Sequence, residues 1–561
     1  MLRLGTLIVA VLLAVPAMAA HLTAIARFEW FEYRGGDLQP RPGPREYGNP
    51  ILQGFYPDPS VVRVGGDYYL VNSTFAWFPG IPVFHSRDLV NWNQIGNAID
   101  RPTQLNFDKM TMWQGVYAPD ISWHNSKFYI LNTCVGCGGN FVITARNPAG
   151  PWSDPVWLPD VNGIDTSLFF DDDGSAWIVH NAPPEGKPRY EGHTAIWLHR
   201  FDPKTRRTVG SPRVLVDAGS HPERDPIWIE GPHIFKKNGL YYLIAAEGGT
   251  EEGHSEVVFR SDKVTGPYVP FAGNPILTQR DLPKSRPNPI TSTGHASFVQ
   301  TQRGDWWTVF LGVRPYTDNL FNTGRETFLM PVHWKDGWPR VTEPAERVPW
   351  VARRPNLAPR PQSAVPTRGS FTVRDEFDRP QLPSYWMMLR NPRGEWWRIS
   401  GGALEIQAKA DAFAEHGNPS LLARRQQHLN AMATTRVNFD PPRDNSEAGL
   451  IVLQNDENWY FLGVGREGAQ RVIRVRRRGG GQDPAAGVAV ASAEIPNGGA
   501  IDLRIEAHGG SLDFDWKAGR GTWRKLVAGA DGTILSTKKA GGFVGAVFGL
   551  YARDGGGAVT P

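Results

Sequence analysis

Five polar residues stand at the heads of five similar segments: Asp58, Asp120, Asp165, Glu230 and His295, spaced by 62, 45, 65 and 65 residues. Gathering acids in a folded interior is costly unless they have a task. Two carboxyl groups of opposite protonation can cleave a glycosidic bond: one protonates the leaving oxygen, the other activates water or attacks. A third acid nearby holds the donor's proton by like-charge repulsion. Glu230, on the longer side chain and preceded by the apolar Ile227-Trp228-Ile229, suits the acid. Asp58, in Tyr56-Pro57-Asp58-Pro59, suits the base, and Asp165 the tuning carboxylate. The competing reading makes them strand caps or ion pairs between repeats. A lone Asp-Pro would be read that way; five repeated anchors favour chemistry.

Each anchor heads a short apolar strand, then a turn, then a strand that opens on aromatic residues. Examples are Asp58-Pro59-Ser60-Val61-Val62 with Tyr68-Tyr69-Leu70, and Glu230-Gly231-Pro232-His233-Ile234 with Tyr241-Tyr242-Leu243. Each interval holds about four strands, the size of a propeller blade. A five-bladed β-propeller is therefore expected over residues 48–350, its inner strands bringing the anchors to one mouth of the axial channel. Residues 20–47 read as a lead-in segment, and the Pro- and Arg-rich stretch 351–370 as a semi-rigid linker. Alternating strands such as Ala403-Leu404-Glu405-Ile406 and Ile501-Asp502-Leu503-Arg504-Ile505 predict a β-sandwich over 371–556. The expected class is all-β.

Composition agrees. With 61 Gly and 47 Pro among 561 residues, and no collagen period, the chain suits short strands and turns rather than a helical bundle. The net charge of +4 points to no nucleic-acid partner. The Arg474, Arg476, Arg477, Arg478 run alternates with Ile473 and Val475, as on a solvated strand face. Met1-Leu2-Arg3, an apolar stretch to Val15 and Ala17-Met18-Ala19 read as a signal peptide over residues 1–19, giving a secreted or periplasmic protein; no later segment is apolar long enough for a membrane span. Cys134 and Cys137 allow one bridge and are weak evidence for a metal. Of the 21 Trp, Trp177, Trp306, Trp307 and Trp123 fall at repeat positions and are assigned to packing. Sugar contact is left to Trp77 and Trp113, with Phe75. Gly463-Val464-Gly465-Arg466-Glu467-Gly468 fits a dinucleotide fingerprint, but a β context without a following helix makes it a hairpin.

Several segments resemble glycoside hydrolase family 43, in its β-xylosidase/α-L-arabinofuranosidase branch. They are Tyr56-Pro57-Asp58-Pro59-Ser60, Ser73-Thr74-Phe75-Ala76-Trp77-Phe78-Pro79-Gly80, Ile229-Glu230-Gly231-Pro232, Thr293-Gly294-His295-Ala296-Ser297 and Gly324-Arg325-Glu326-Thr327-Phe328. Arg424-Arg425-Gln426-Gln427-His428 and Glu447-Ala448-Gly449-Leu450 are similar to the concanavalin-like jelly roll attached to such enzymes. The resemblance implies inversion, with Asp58 as base, Asp165 as pKa modulator, Glu230 as acid, and base and acid roughly 6.5–9.5 Å apart. It implies sugar-binding or site-organising places for Arg325 and His295, an apolar wall at Phe75, and a substrate contact at Tyr117, where many relatives carry Trp. It implies no required cofactor, although some members hold calcium near the place of His295.

The expected activity is release of xylose from the non-reducing ends of xylo-oligosaccharides. The alternatives are an α-L-arabinofuranosidase and, remotely, a non-catalytic carbohydrate-binding protein. A homo-oligomer is compatible with the sequence.

Overall fold

The computed structural model describes residues 24–37, 40–412 and 416–555. The proposed signal peptide lies outside them. Five antiparallel units follow one another, four of them four-stranded and the fourth with an added short strand, Leu277–Thr278: they begin with strands Ser60–Val64, Gly115–His124, Ile164–Phe170, Glu230–Lys237 and Thr291–Gln300. The inner strands of neighbouring units contact one another in order, and the last contacts the first, closing a five-bladed propeller. Each blade buries β-branched and aromatic side chains against the next, as with Tyr69 on Phe128 and Phe169 on Tyr241. A two-stranded latch, Glu46–Gly48 with Val351–Arg353, joins the two ends of the propeller chain.

The inner strands share a defect that matters for the site. In blades two to five the register to the second strand slips at the anchor, between Tyr117 and Asp120, Ile164 and Ser167, Glu230 and His233, and Gly294 and Ser297. Such bulges re-aim a side chain out of the pleat. Asp58, Asp165 and His295 all take positive φ (52°, 58°, 53°), a strained conformation for non-glycine residues that clusters at functional sites.

Two sheets form the C-terminal sandwich, with Phe28, Leu404, Leu450, Phe514 and Phe548 in its core. The lead-in expected over 20–47 is corrected here. Strand Ile25–Gly35 lies inside one of the two sheets, paired with Leu404–Gln407, Asn430–Asn438 and Phe371–Asp375. Its alternation (Ala26, Phe28, Phe31 and Tyr33 all buried) is that of a core strand, interrupted by one bulge at Phe28/Trp30. The other sheet ends on a propeller segment: Trp77–Phe78 pairs with Met387–Leu389. The Pro-rich connection is strapped to the propeller, with Arg354 and the Arg360 amide both donating to Asp88 and the Thr367 hydroxyl to the Ile51 carbonyl.

Candidate active site

At the mouth of the propeller axis Asp58 is 6% exposed and held from two sides. Arg325 donates to it through Nη1 (2.8 Å) and, more weakly, Nη2 (3.5 Å), and the Ser73 hydroxyl donates at 2.5 Å. The charge-assisted pair fixes the carboxylate's orientation. Asp165 accepts the Gly231 amide at 3.0 Å, a group supplied by the residue after Glu230. The Glu230 carboxyl accepts no hydrogen bond among the described residues. Burial, then the neighbouring Asp165, pushes its pKa well above the usual carboxylate range, Arg325 opposing. Asp165 is raised as well, by burial and then Asp58. Because Asp165 repels charge on Glu230, the pair retains a proton where free carboxylates have lost theirs. That proton belongs on Glu230, because Asp165 has an amide donor for its charged form and Glu230 has none.

His295 sits with Nδ1 3.8 Å from Asp58, and its ring lies against Gly231, where a Cβ would come within 3.0 Å of three ring atoms. Burial pushes its pKa down to about 4, so the ring is neutral at ordinary pH. Tyr117 also faces the acids: burial raises its phenol, and Asp58, Asp165 and Arg325 all act on it.

Asp120 departs from expectation. It stands one level deeper, accepting the Ser60 hydroxyl (2.9 Å) and the Leu168 amide (2.9 Å), with His233 Nδ1 3.5 Å away. The reason lies in the repeat itself. Ala118-Pro119-Asp120 matches Asp58-Pro59-Ser60, so Asp120 corresponds to Ser60 and Ala118 to Asp58. Asp120 joins blades, as do Ser167, donating to the Pro232 carbonyl, and Ser297, accepting the Val61 amide. The axial space between these groups is about 10 Å³, one water at most. Calcium requires six to eight oxygens. Around His295 no trio of acidic, His or Cys ligands converges among the described residues, and Asp58 is already engaged by Arg325 and Ser73. The metal assignment at His295 does not fit.

The aromatic expectations divide. Trp77 is 1% exposed, inside the propeller–sandwich interface with Phe55, Met387 and Val547, and cannot touch sugar. Its strand is the one that completes the sandwich sheet, which nothing in its local pattern announces. Phe75 is fully buried beneath two half-buried rings, Tyr117 at 5.5 Å and Phe543 at 6.5 Å. Trp113 is 36% exposed at the rim, edge-on to Phe543. Phe543, which comes from the sandwich, was missed: it also lies 5.6 Å from the Arg325 guanidinium carbon. Trp228, which the sequence offers only as apolar context for Glu230, is 42% exposed, takes φ 55°, and donates its amide to the Gly192 carbonyl at 2.8 Å. Gly249 gives its ring room, since a Cβ there would meet the indole at 3.2 Å. Its signal was a large apolar residue two positions from the acid, with glycines elsewhere to seat it.

An arginine-held carboxylate at the mouth of a propeller axis, with two further buried acids beside it, defines a class of glycosidase. The comparisons place the chain within it: residues 47–339 match the glycosyl hydrolases family 43, and residues 374–560 the β-xylosidase C-terminal concanavalin A-like domain. The chain belongs to glycosyl hydrolase family 43 and is a glycoside hydrolase. It is 37% identical over 527 residues to a non-reducing-end α-L-arabinofuranosidase of Bacteroides ovatus, covering 92% of this chain and 93% of that one. It is 36% identical over 513 residues to a xylosidase/arabinosidase of Butyrivibrio fibrisolvens, covering 91% and 96%. A solved family 43 subfamily 12 structure from a capybara gut metagenome superposes with a TM-score of 0.88 at 38% identity, over 95% of this chain and all of that one.

Proposed function

We propose that the protein is an inverting exo-glycosidase that releases xylose from the non-reducing ends of xylo-oligosaccharides. The observation that carries the reading is the unequal support of the three acids: Asp58 clamped by Arg325 and Ser73, Asp165 by one amide, Glu230 by none. Asp58 takes a proton from water as that water attacks the anomeric carbon from the face opposite the leaving group. Glu230 gives its proton to the glycosidic oxygen as the bond breaks. Asp165 keeps that proton on Glu230 until the leaving oxygen needs it. Arg325 orients the base, and the neutral His295 is available to a sugar hydroxyl. Tyr117 and Phe543 wall the terminal sugar, with Phe75 as their backing. Trp228 offers a ring face to the leaving unit.

A second reading, α-L-arabinofuranosidase, is favoured by the names of the relatives, one an arabinofuranosidase and another a xylosidase/arabinosidase. Side-by-side rates on 4-nitrophenyl β-D-xyloside and α-L-arabinofuranoside decide between them; a higher kcat/KM on the arabinofuranoside overturns the first reading. Proton NMR of the first-formed sugar tests inversion, since appearance of the retained anomer would sink it. Export is inferred from residues 1–19; N-terminal sequencing of protein from culture medium or periplasm should begin after Ala19.

A further inference from the structure

Apart from the catalytic mouth, the propeller, with Lys538 of the sandwich, forms an open cavity of about 570 Å³, within the range of small-molecule sites. Asp58, Asp165 and Glu230 do not line it. Four cations do, Arg280, Lys284, Arg286 and Lys538, against two acids, Glu252 and Asp318. Lys284 is neutralised by Glu252 at 2.6 Å. The other three cations have no carboxylate partner within salt-bridge distance among the described residues. Arg286 spends its guanidinium on the carbonyls of Leu282, Pro283 and Ile290, which shapes the wall without cancelling its charge. Among the described residues the Arg280 guanidinium bonds only the Gly253 carbonyl and the Ser255 hydroxyl, both at long range (3.3 and 3.4 Å). Lys538, from the sandwich, is steadied by the Asp318 carbonyl at 3.0 Å. Tyr316, Pro289 and Leu282 add apolar faces.

The cavity is tied to the catalytic ring. Its wall residue Thr291 bonds Asn319 and opens the strand that carries His295, four residues on, so the two sites lie within about 13 Å along that strand. Glu252 is two residues from His254, whose ring packs against Gly294.

We propose that this cavity binds a uronate unit: a sugar carboxylate carried as a substituent on the oligosaccharide whose non-reducing end enters the catalytic mouth. The excess of cations over carboxylates in the lining calls for an anion, a guanidinium suits a carboxylate, and the apolar faces suit a sugar ring. The inference rests on the oligosaccharide reading above.

The test is calorimetry on the full-length Glu230→Gln protein, which binds without turnover, using xylotriose, glucuronate-substituted xylotriose, free glucuronate and inorganic phosphate. The substituted trimer is expected to bind about tenfold more tightly than xylotriose, about one charge-assisted contact. Added Arg280→Ala and Lys538→Ala should abolish that difference, and Arg280→Glu should reverse it, with far-UV circular dichroism unchanged. Equal affinities for the two trimers, or a preference that survives Arg280→Ala with Lys538→Ala, overturns the proposal. So does phosphate binding as tightly as free glucuronate, which would mark an unselective anion site. If free glucuronate binds and loses affinity in the variants while xylotriose neither binds nor is cleaved by the native enzyme, the oligosaccharide reading fails and the cavity assignment stands.

Discussion

Asp165 and Glu230 share a buried space that cannot hold two negative charges cheaply, and this sets how the enzyme responds to pH. The acid must be protonated to act, so activity falls as pH rises through the raised Glu230 pKa. Asp165→Asn removes the like charge and lowers that pKa; the alkaline limb of kcat/KM should move down by about one pH unit. Glu230→Gln should cut kcat by about 10²–10⁴-fold on poor leaving groups. The same variant carries a stability signature. Between about 4.3, the ordinary glutamate value, and the raised value, the folded protein holds a proton that the unfolded chain has lost, so native stability falls with rising pH. The Tm of Glu230→Gln should therefore exceed that of the native enzyme by a margin that grows above about pH 5; a constant gap would contradict the raised pKa. Trp228→Ala should raise KM for xylobiose roughly 3–10-fold, the worth of one aromatic face, with a smaller change in kcat. The acids were legible because chemistry demands a residue type and the repeat supplies a period. Asp120 falls outside the site because a period counted on acids alone hides the backbone alignment of Ala118-Pro119-Asp120 on Asp58-Pro59-Ser60.

At the scale of elements, the bulged inner strands turn an ordinary blade into a site. Alternation along a strand predicts which residues face the core, but not where two residues oppose one, so the blades were readable and the aim of their anchors was not. Strand Ile25–Gly35 shows a related limit. Its pattern is that of a core strand, yet its partners begin over 330 residues later, at Phe371–Asp375, and proximity in sequence suggested a lead-in. Its end is secured by Asp37, which meets Arg314 with Glu326 in a buried cluster; Arg314 also donates to the Gln427 carbonyl of the sandwich. Removing the cation leaves two acids facing each other away from water. Arg314→Met should therefore cost about 3–5 kcal/mol in denaturant unfolding, as for a broken buried pair, while kcat near neutral pH is retained by the molecules that remain folded. A loss under about 1 kcal/mol would show the cluster to be solvated.

For the whole molecule, the question is why a propeller with its own acids carries a sandwich at all. Two contributions can be separated. The sandwich covers Phe55, Trp77 and Met112, an apolar face that the propeller alone would expose. It also sends one side chain, Phe543, over Arg325 and Tyr117. Truncation after residue 370 removes both and orphans strand Ile25–Gly35, so the expected product is insoluble, which says nothing about catalysis. Phe543→Ala isolates the second contribution. With the interface intact, its Tm should lie within a few degrees of the native value. Loss of the wall over the sugar and of the cation–π contact with Arg325 should then appear as a roughly tenfold fall in kcat/KM on xylobiose. An unchanged kcat/KM would mean that the sandwich serves only to cover the propeller, and that the pocket is complete within residues 48–350.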